Sequence, residues 1–146
     1  MPKAPVSPEV DAFLRKPNGA VIATIRGDGA PFTATTWYDW DGETIYVNMD
    51  EGRVRLPHMR RDPRVAVTVF DLENWYWQVS LLGRVIRIED DEGFVGIHRL
   101  ARRYTGGDYV DLSRGRVGAW IAVDTWNGWD PVNYTPWQPG VSQPPI

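Results

Sequence analysis

The chain has 146 residues with 16 basic and 19 acidic side chains, a net charge of −3, which disfavours general nucleic-acid binding. It contains no cysteine, so disulfides, thiolate metal sites and cysteine nucleophiles are excluded. Its two histidines, His58 and His98, lie too far apart for a local metal motif, and no apolar run approaches membrane-spanning length.

The opening, MPKAPVSPEV, lacks the apolar stretch of a secretory signal, and a soluble cytoplasmic protein is expected. Residues 1–6 read as disordered. Ser7-Pro8-Glu9 then reads as a helix start, with serine capping, proline in the first turn and an acid near the positive dipole end. Val10, Phe13 and Leu14 make its apolar stripe, and Pro17-Asn18-Gly19 stops it. AVIATIR (20–26) is apolar enough for a strand buried on both faces. Gly27-Asp28-Gly29 is a turn; that Arg26-Gly27-Asp28 spells an adhesion tripeptide is secondary to it. FTATTWYDW (32–40) alternates as one strand, and Asp41-Gly42 signals a hairpin into ETIYVNM (43–49). There Ile45, Val47 and Met49 share a core-like face, while Thr44, Tyr46 and Asn48 share a polar face free for a ligand.

A basic turn follows, then the strand RVAVTVF (64–70) and the long strand WYWQVSLLGRVIRIE (75–89), in which Gly83 marks a bulge or bend. Asp90-Asp91-Glu92 starts a helix bearing Phe94, Ile97, Leu100, Ala101 and Tyr104, and Gly106-Gly107 ends it. His98 within it reads as structural or surface rather than as a haem ligand. VGAWIAVDTW (117–126) is the last strand. The predicted class is mainly β with short helices, one domain over 1–146, with an irregular proline-rich tail from about 130 in which Tyr134 and Trp137 pack on something. Eight tryptophans exceed what a small core readily hides, which favours an aromatic-walled pocket for a flat ligand. Val65, Val67, Val69, Trp75, Trp77, Val79 and Leu81 would leave a large apolar patch on a monomer, so a two-fold homodimer burying part of it is expected.

The basic turn is the most informative segment. Arg53, Arg55, Arg60, Arg61 and Arg64 fall within DEGRVRLPHMRRDPR, just after a strand, and Glu51-Gly52 lets the chain turn so that arginine forks and backbone N–H groups converge on an anion. A solvated basic face with Asp62 pairing locally is the alternative. Pro57 would distort a helix here. Asp39, Asp41 and Tyr38 could in principle donate a proton, although carboxylates at a hairpin tip are more often turn residues.

AVIATIRGDGAPFTATTWYDWDGETIYVNM and GRVRLPHMRRDPRVAV resemble the pyridoxamine-phosphate-oxidase-like family, and more closely its actinobacterial flavin/deazaflavin oxidoreductases. The likeness spans residues 20–89 and rests on the order of buried strand, Gly-Asp-Gly turn, aromatic hairpin, basic turn and R-R-D-P-R. It implies a split β-barrel and a homodimer with two cofactor sites at the subunit interface. It implies that Arg53 and Arg55, helped by Arg60 or Arg61, bind the cofactor phosphate. It implies that Thr35, Trp37 and Asn48 line the ring system, and that Trp77 and Gln78 help from the other subunit. The substrate-binding signature near the C-terminus of true pyridoxamine phosphate oxidases is missing, with WNGWDPVNY in its place, which argues against a vitamin B6 substrate. A lysine common among the phosphate ligands is replaced by arginine.

The implied activity is hydride transfer from the deazaflavin coenzyme F420 to a planar unsaturated organic substrate, with FMN on the same scaffold as the alternative. The five clustered arginines lean toward F420, whose phosphodiester carries an acidic tail. A non-catalytic module for a cofactor, haem or bilin is a second class. A sugar- or single-strand-binding barrel is a third, disfavoured by the charge.

Overall fold

The computed structural model describes residues 1–128; the expectations for Tyr134, Trp137 and the rest of the tail lie outside them. In chain order the elements are α1 (Pro8–Leu14), β1 (Gly19–Ile25), β2 (Pro31–Thr36), β3 (Asp39–Trp40), β4 (Thr44–Asp50), α2 (Arg55–Arg61), β5 (Arg64–Phe70), β6 (Gln78–Asp90), a 3-10 turn (Glu92–Phe94), α3 (Val95–Thr105) and β7 (Arg116–Gly128). The strands form one antiparallel sheet in the order β2-β1-β5-β6-β7-β4-β3.

The expected single strand 32–40 is broken in two, and that break shapes the molecule. β2 pairs with β1 and β3 with β4, so one sequence run supplies both ends of the sheet. Laid flat, seven strands would separate those ends by about 29 Å, at about 4.8 Å per strand. Only Trp37 and Tyr38 join them, and three peptide steps reach about 11 Å. The sheet must therefore curl, and it does so as the predicted split barrel. Tyr38 is fully buried at this corner and donates from its hydroxyl to the Leu14 and Lys16 carbonyls (2.8 and 3.0 Å).

Helix α1 plugs the barrel with Val10, Phe13 and Leu14. Its start is as expected: Pro8 opens the first turn and Ser7 Oγ accepts the Val10 N–H. Deleting most of the fully buried Leu14 side chain would cost about 2–5 kcal/mol. The turn 26–29 is closed by Gly29 N–H to Arg26 C=O, and an Arg26–Asp28 ion pair at 3.3 Å spans it. Pro57 does not distort α2, because it lies in the first turn, where no intrahelical N–H is needed. Gly83 does mark an irregularity, with register shifts at Leu82/Gly83 and Val85/Arg87; a Cβ there would strike the Ala122 carbonyl. Among the described residues no helix is long and apolar enough to cross a membrane.

Three further expectations are corrected. Strand β1 is not buried on both faces; Ala20, Ile22 and Thr24 point inward and their neighbours are half-exposed. The polar face of β4 is not free, because α3 lies across it and buries Tyr46 and Asn48. A Cβ on Gly96 or Gly118 would collide with the Tyr46 hydroxyl, so these two glycines admit the ring. Finally, Val65, Val67, Val69, Val79 and Leu81 form no surface patch; they face the barrel core. Trp77 packs half-buried against that core, and of the expected set only Trp75 is strongly exposed.

Helix α3 owes its position to Asp91. Phe94 precedes it with a left-handed backbone (φ 60°) and offers no cap. Asp91 instead accepts the N–H groups of Gly96 and Ile97 (2.8 and 2.9 Å) and, across to β4, the Asn48 amide N–H (2.9 Å). His98 is structural as expected: its Nδ1 accepts the Tyr109 N–H at 3.1 Å.

Candidate functional site

A cleft of about 700 Å³ opens between the β2 end of the sheet, α2 and α3. One wall is aromatic. Trp37 stacks on Tyr104 with centroids 5.3 Å apart and an interplanar angle of 7°, and Tyr109 meets Trp37 edge-on at 6.2 Å. Phe32, Phe70 and Leu72 add apolar lining. A further part is cationic, formed by Arg53, Arg55 and Arg116.

Arg55 is the anomaly. Its side chain is buried, with the residue 7% exposed. Its Nη2 donates to the Asn48 backbone carbonyl (3.1 Å) and to Thr36 Oγ1 (3.3 Å), both neutral acceptors. Its Nε is buried with no hydrogen-bond partner, and no carboxylate lies within ion-pair distance among the described residues. Burial, reinforced by the Arg53 and Arg116 charges and eased by Asp50, pushes its pKa down to about 10. A buried, unpaired guanidinium is costly unless an anion reaches it. The alternative of a solvated basic face does not hold for Arg55: it follows Arg53-Val54 into α2, and the helix turns it inward.

Arg116, at the start of β7, approaches from the opposite side. Its Nε donates to Asn48 Oδ1 at 2.7 Å, and its guanidinium lies 4.8 Å from the Tyr109 ring centre. It too has no carboxylate partner among the described residues. Asn48 is therefore fully engaged: its Nδ2 donates to Tyr46 Oη and Asp91 Oδ2, both at 2.9 Å. Burial raises the Tyr46 pKa, which keeps that hydroxyl neutral.

Of the residues expected at the site, Thr35, Trp37, Asn48, Arg53 and Arg55 line the cleft together. Arg53 is 68% exposed and pairs with Asp50 at 3.3 Å. Arg60 and Arg61 point away on the outer side of α2, with Arg61 donating to the Ile25 carbonyl. Local pairing with Asp62 holds for Arg64 (2.7 Å), not for the inward arginine. Trp77 and Gln78 do not reach the cleft within the chain; Gln78 lines a separate hollow of about 450 Å³ with Val21, Phe70, Trp75 and Tyr76. The possible proton donors are otherwise occupied. Asp39 pairs with Arg99 and Arg103, Asp41 closes the 41–44 turn, and Tyr38 is in the core.

Sequence reasoning missed Tyr104, Tyr109 and Arg116 as lining residues. Tyr104 was within reach, since it continues the stripe Ile97, Leu100, Ala101 toward the cleft. Arg116 was not, because its place follows from the β4–β7 register, which sets it opposite Asp50.

Residues 6–130 match the family model described as pyridoxamine 5'-phosphate oxidase. Among solved structures the chain is similar to one titled F420 Reductase, with 26% identity, a TM-score of 0.74, and coverage of 85% of this chain and 98% of that one. It is also similar to the conserved hypothetical protein Rv2991 from Mycobacterium tuberculosis, at 27% identity and a TM-score of 0.69, covering 96% and 95%. The FAD and heme binding protein from Mycobacterium smegmatis shares the fold at 16% identity, with a TM-score of 0.62 and coverage of 86% and 71%.

Proposed function

Because the chain belongs to the pyridoxamine 5'-phosphate oxidase family, a fold of flavin-binding oxidoreductases, we propose that it is an oxidoreductase using coenzyme F420, with FMN as the alternative. Its substrate is a planar unsaturated organic molecule that accepts hydride. The observation that carries this reading is the buried Arg55 guanidinium, whose Nε lacks a partner, beside an aromatic wall. A phosphate supplies the missing acceptor and the missing charge. Arg53 closes over the same phosphate from solvent. Trp37 and Thr35 flank the ring, and the apolar lining of Phe32, Phe70 and Leu72 excludes water from it. The bound cofactor supplies the hydride chemistry, so the protein need only anchor, orient and shield.

Equilibrium titration of the purified chain with F420 and FMN at equal ionic strength tests this. F420 is expected to bind more tightly. Tighter FMN binding reverses the ranking, and binding of neither sinks the function. Binding without turnover of any activated double bond favours a cofactor carrier instead.

The protein is further proposed to act as a homodimer. Trp75 and Tyr76 are exposed around the hollow that holds Gln78, an apolar surface which a second copy would cover. Light scattering that shows only a monomer at micromolar concentration overturns this.

A further inference from the structure

Asn48 holds two arginines at once. Its backbone carbonyl takes Arg55 and its side-chain carbonyl takes Arg116. Neither oxygen carries a formal charge, so both guanidiniums are oriented without being neutralised. The amide cannot flip, because its N–H groups are tied to Tyr46 Oη and Asp91 Oδ2. Asp91 is fixed in turn by the first N–H groups of α3. Two cationic forks thus project into one cleft from α2 and from β7, joined through a single buried residue.

We propose that Arg116 is a second anion-binding arm of the site, that with Arg55 it clamps one phosphate group, and that Asn48 is the positioning residue for both. This rests on the phosphate-anchored reading above and assigns it residues on β4 and β7. Arginine suits the role because its planar fork can donate one N–H to the amide and present others to the anion. Aspartate at position 48 would hold both arginines equally well, but would occupy their charge and repel Asp91.

The test compares ligands that share a ring: FMN against riboflavin, which differ in the phosphate alone, and F420 against its deazaflavin core, which lacks the phosphate and the acidic tail beyond it. Arg116→Gln should weaken F420 or FMN binding about tenfold or more, and leave the phosphate-free partner within about twofold. Arg116→Lys, which keeps the charge but loses the fork, should fall between wild type and Arg116→Gln. Asn48→Ala should lower the ratio of phosphorylated to phosphate-free affinity, a readout that general loosening of the pocket would not move. If Arg116→Gln leaves phosphorylated ligands unchanged, or weakens both members of a pair equally, the clamp is wrong. If wild type binds no flavin or deazaflavin, the proposed function fails, and the clamp is judged with inorganic pyrophosphate. A melting temperature raised by pyrophosphate in wild type and unmoved in Arg116→Gln supports it; no rise in wild type overturns it.

Discussion

Two arginines of this chain are largely buried, and they are treated in opposite ways. Arg103, on α3, donates to four backbone carbonyls: Tyr38, Arg15, Leu14 and Lys16. Three of these belong to the open end of α1, whose carbonyls have no helical partner. Its charge also faces Asp39 at 3.8 Å and the Tyr38 ring at 5.1 Å. Arg55 has two neutral acceptors, both on one nitrogen, an orphaned Nε and no carboxylate. One guanidinium is used up by the fold; the other is held in reserve. Such under-satisfaction of a buried charge marks the place where the molecule expects a partner from outside.

The largest effect should come from the satisfied arginine. Arg103→Gln strands carbonyls at the end of α1 and the barrel corner, and is expected to cost about 3 kcal/mol of stability. A lowered urea midpoint reads this out; an unchanged midpoint would dissolve the contrast. Arg55→Met should do the reverse. Cofactor affinity should drop about ten- to a hundredfold, roughly 1.5–3 kcal/mol, while the ligand-free protein changes by less than about 1 kcal/mol or gains stability, as when apolar groups replace a buried charge. If Arg55→Met unfolds the protein as readily as Arg103→Gln, both residues are structural. Arg53→Ala should matter less than its neighbour, since Arg53 is exposed and already paired with Asp50: about two- to fivefold in affinity, and most visible at low salt.

The mildest test uses pH. Burial raises the pKa of Tyr38, and of Tyr46 and Tyr104, above the ordinary value of 10.0. A folded protein that binds these protons more tightly than the unfolded chain keeps their contribution below pH 10 and loses it as pH rises further. The melting temperature should therefore decline above pH 10, and Tyr38→Phe should flatten that decline. A wild-type protein as stable at pH 11 as at pH 9 would contradict it.

Local signals were legible in the sequence. Ser7 as a cap, the Gly-Asp-Gly turn and the irregularity at Gly83 depend on residues within a few positions of each other. The inward Arg55 was legible as chemistry but not as burial, because solvated and buried arginines look alike until the helix phase is known. What stayed hidden depends on distant pairing. Alternation in 32–40 reads the same on both sides of the Trp37–Tyr38 corner, so nothing local announces the break. The polar face of β4 looked free because its cover, α3, arrives some fifty residues later. The valines of β5 looked like an interface because period-two apolarity does not say whether a sheet is open or rolled.

The corner itself has a dynamic consequence. Trp37 lines the cleft and Tyr38, the next residue, anchors the core, so the joint that closes the barrel is also part of the pocket wall. A ligand resting on Trp37 would hold the two ends of the sheet together, and a barrel that opened there would release its ligand. In amide hydrogen exchange, β2 and β3 should behave as one cooperative unit although six strand positions separate them across the sheet. Saturating cofactor should slow both together and leave the far β5–β6 ladder at its own rate.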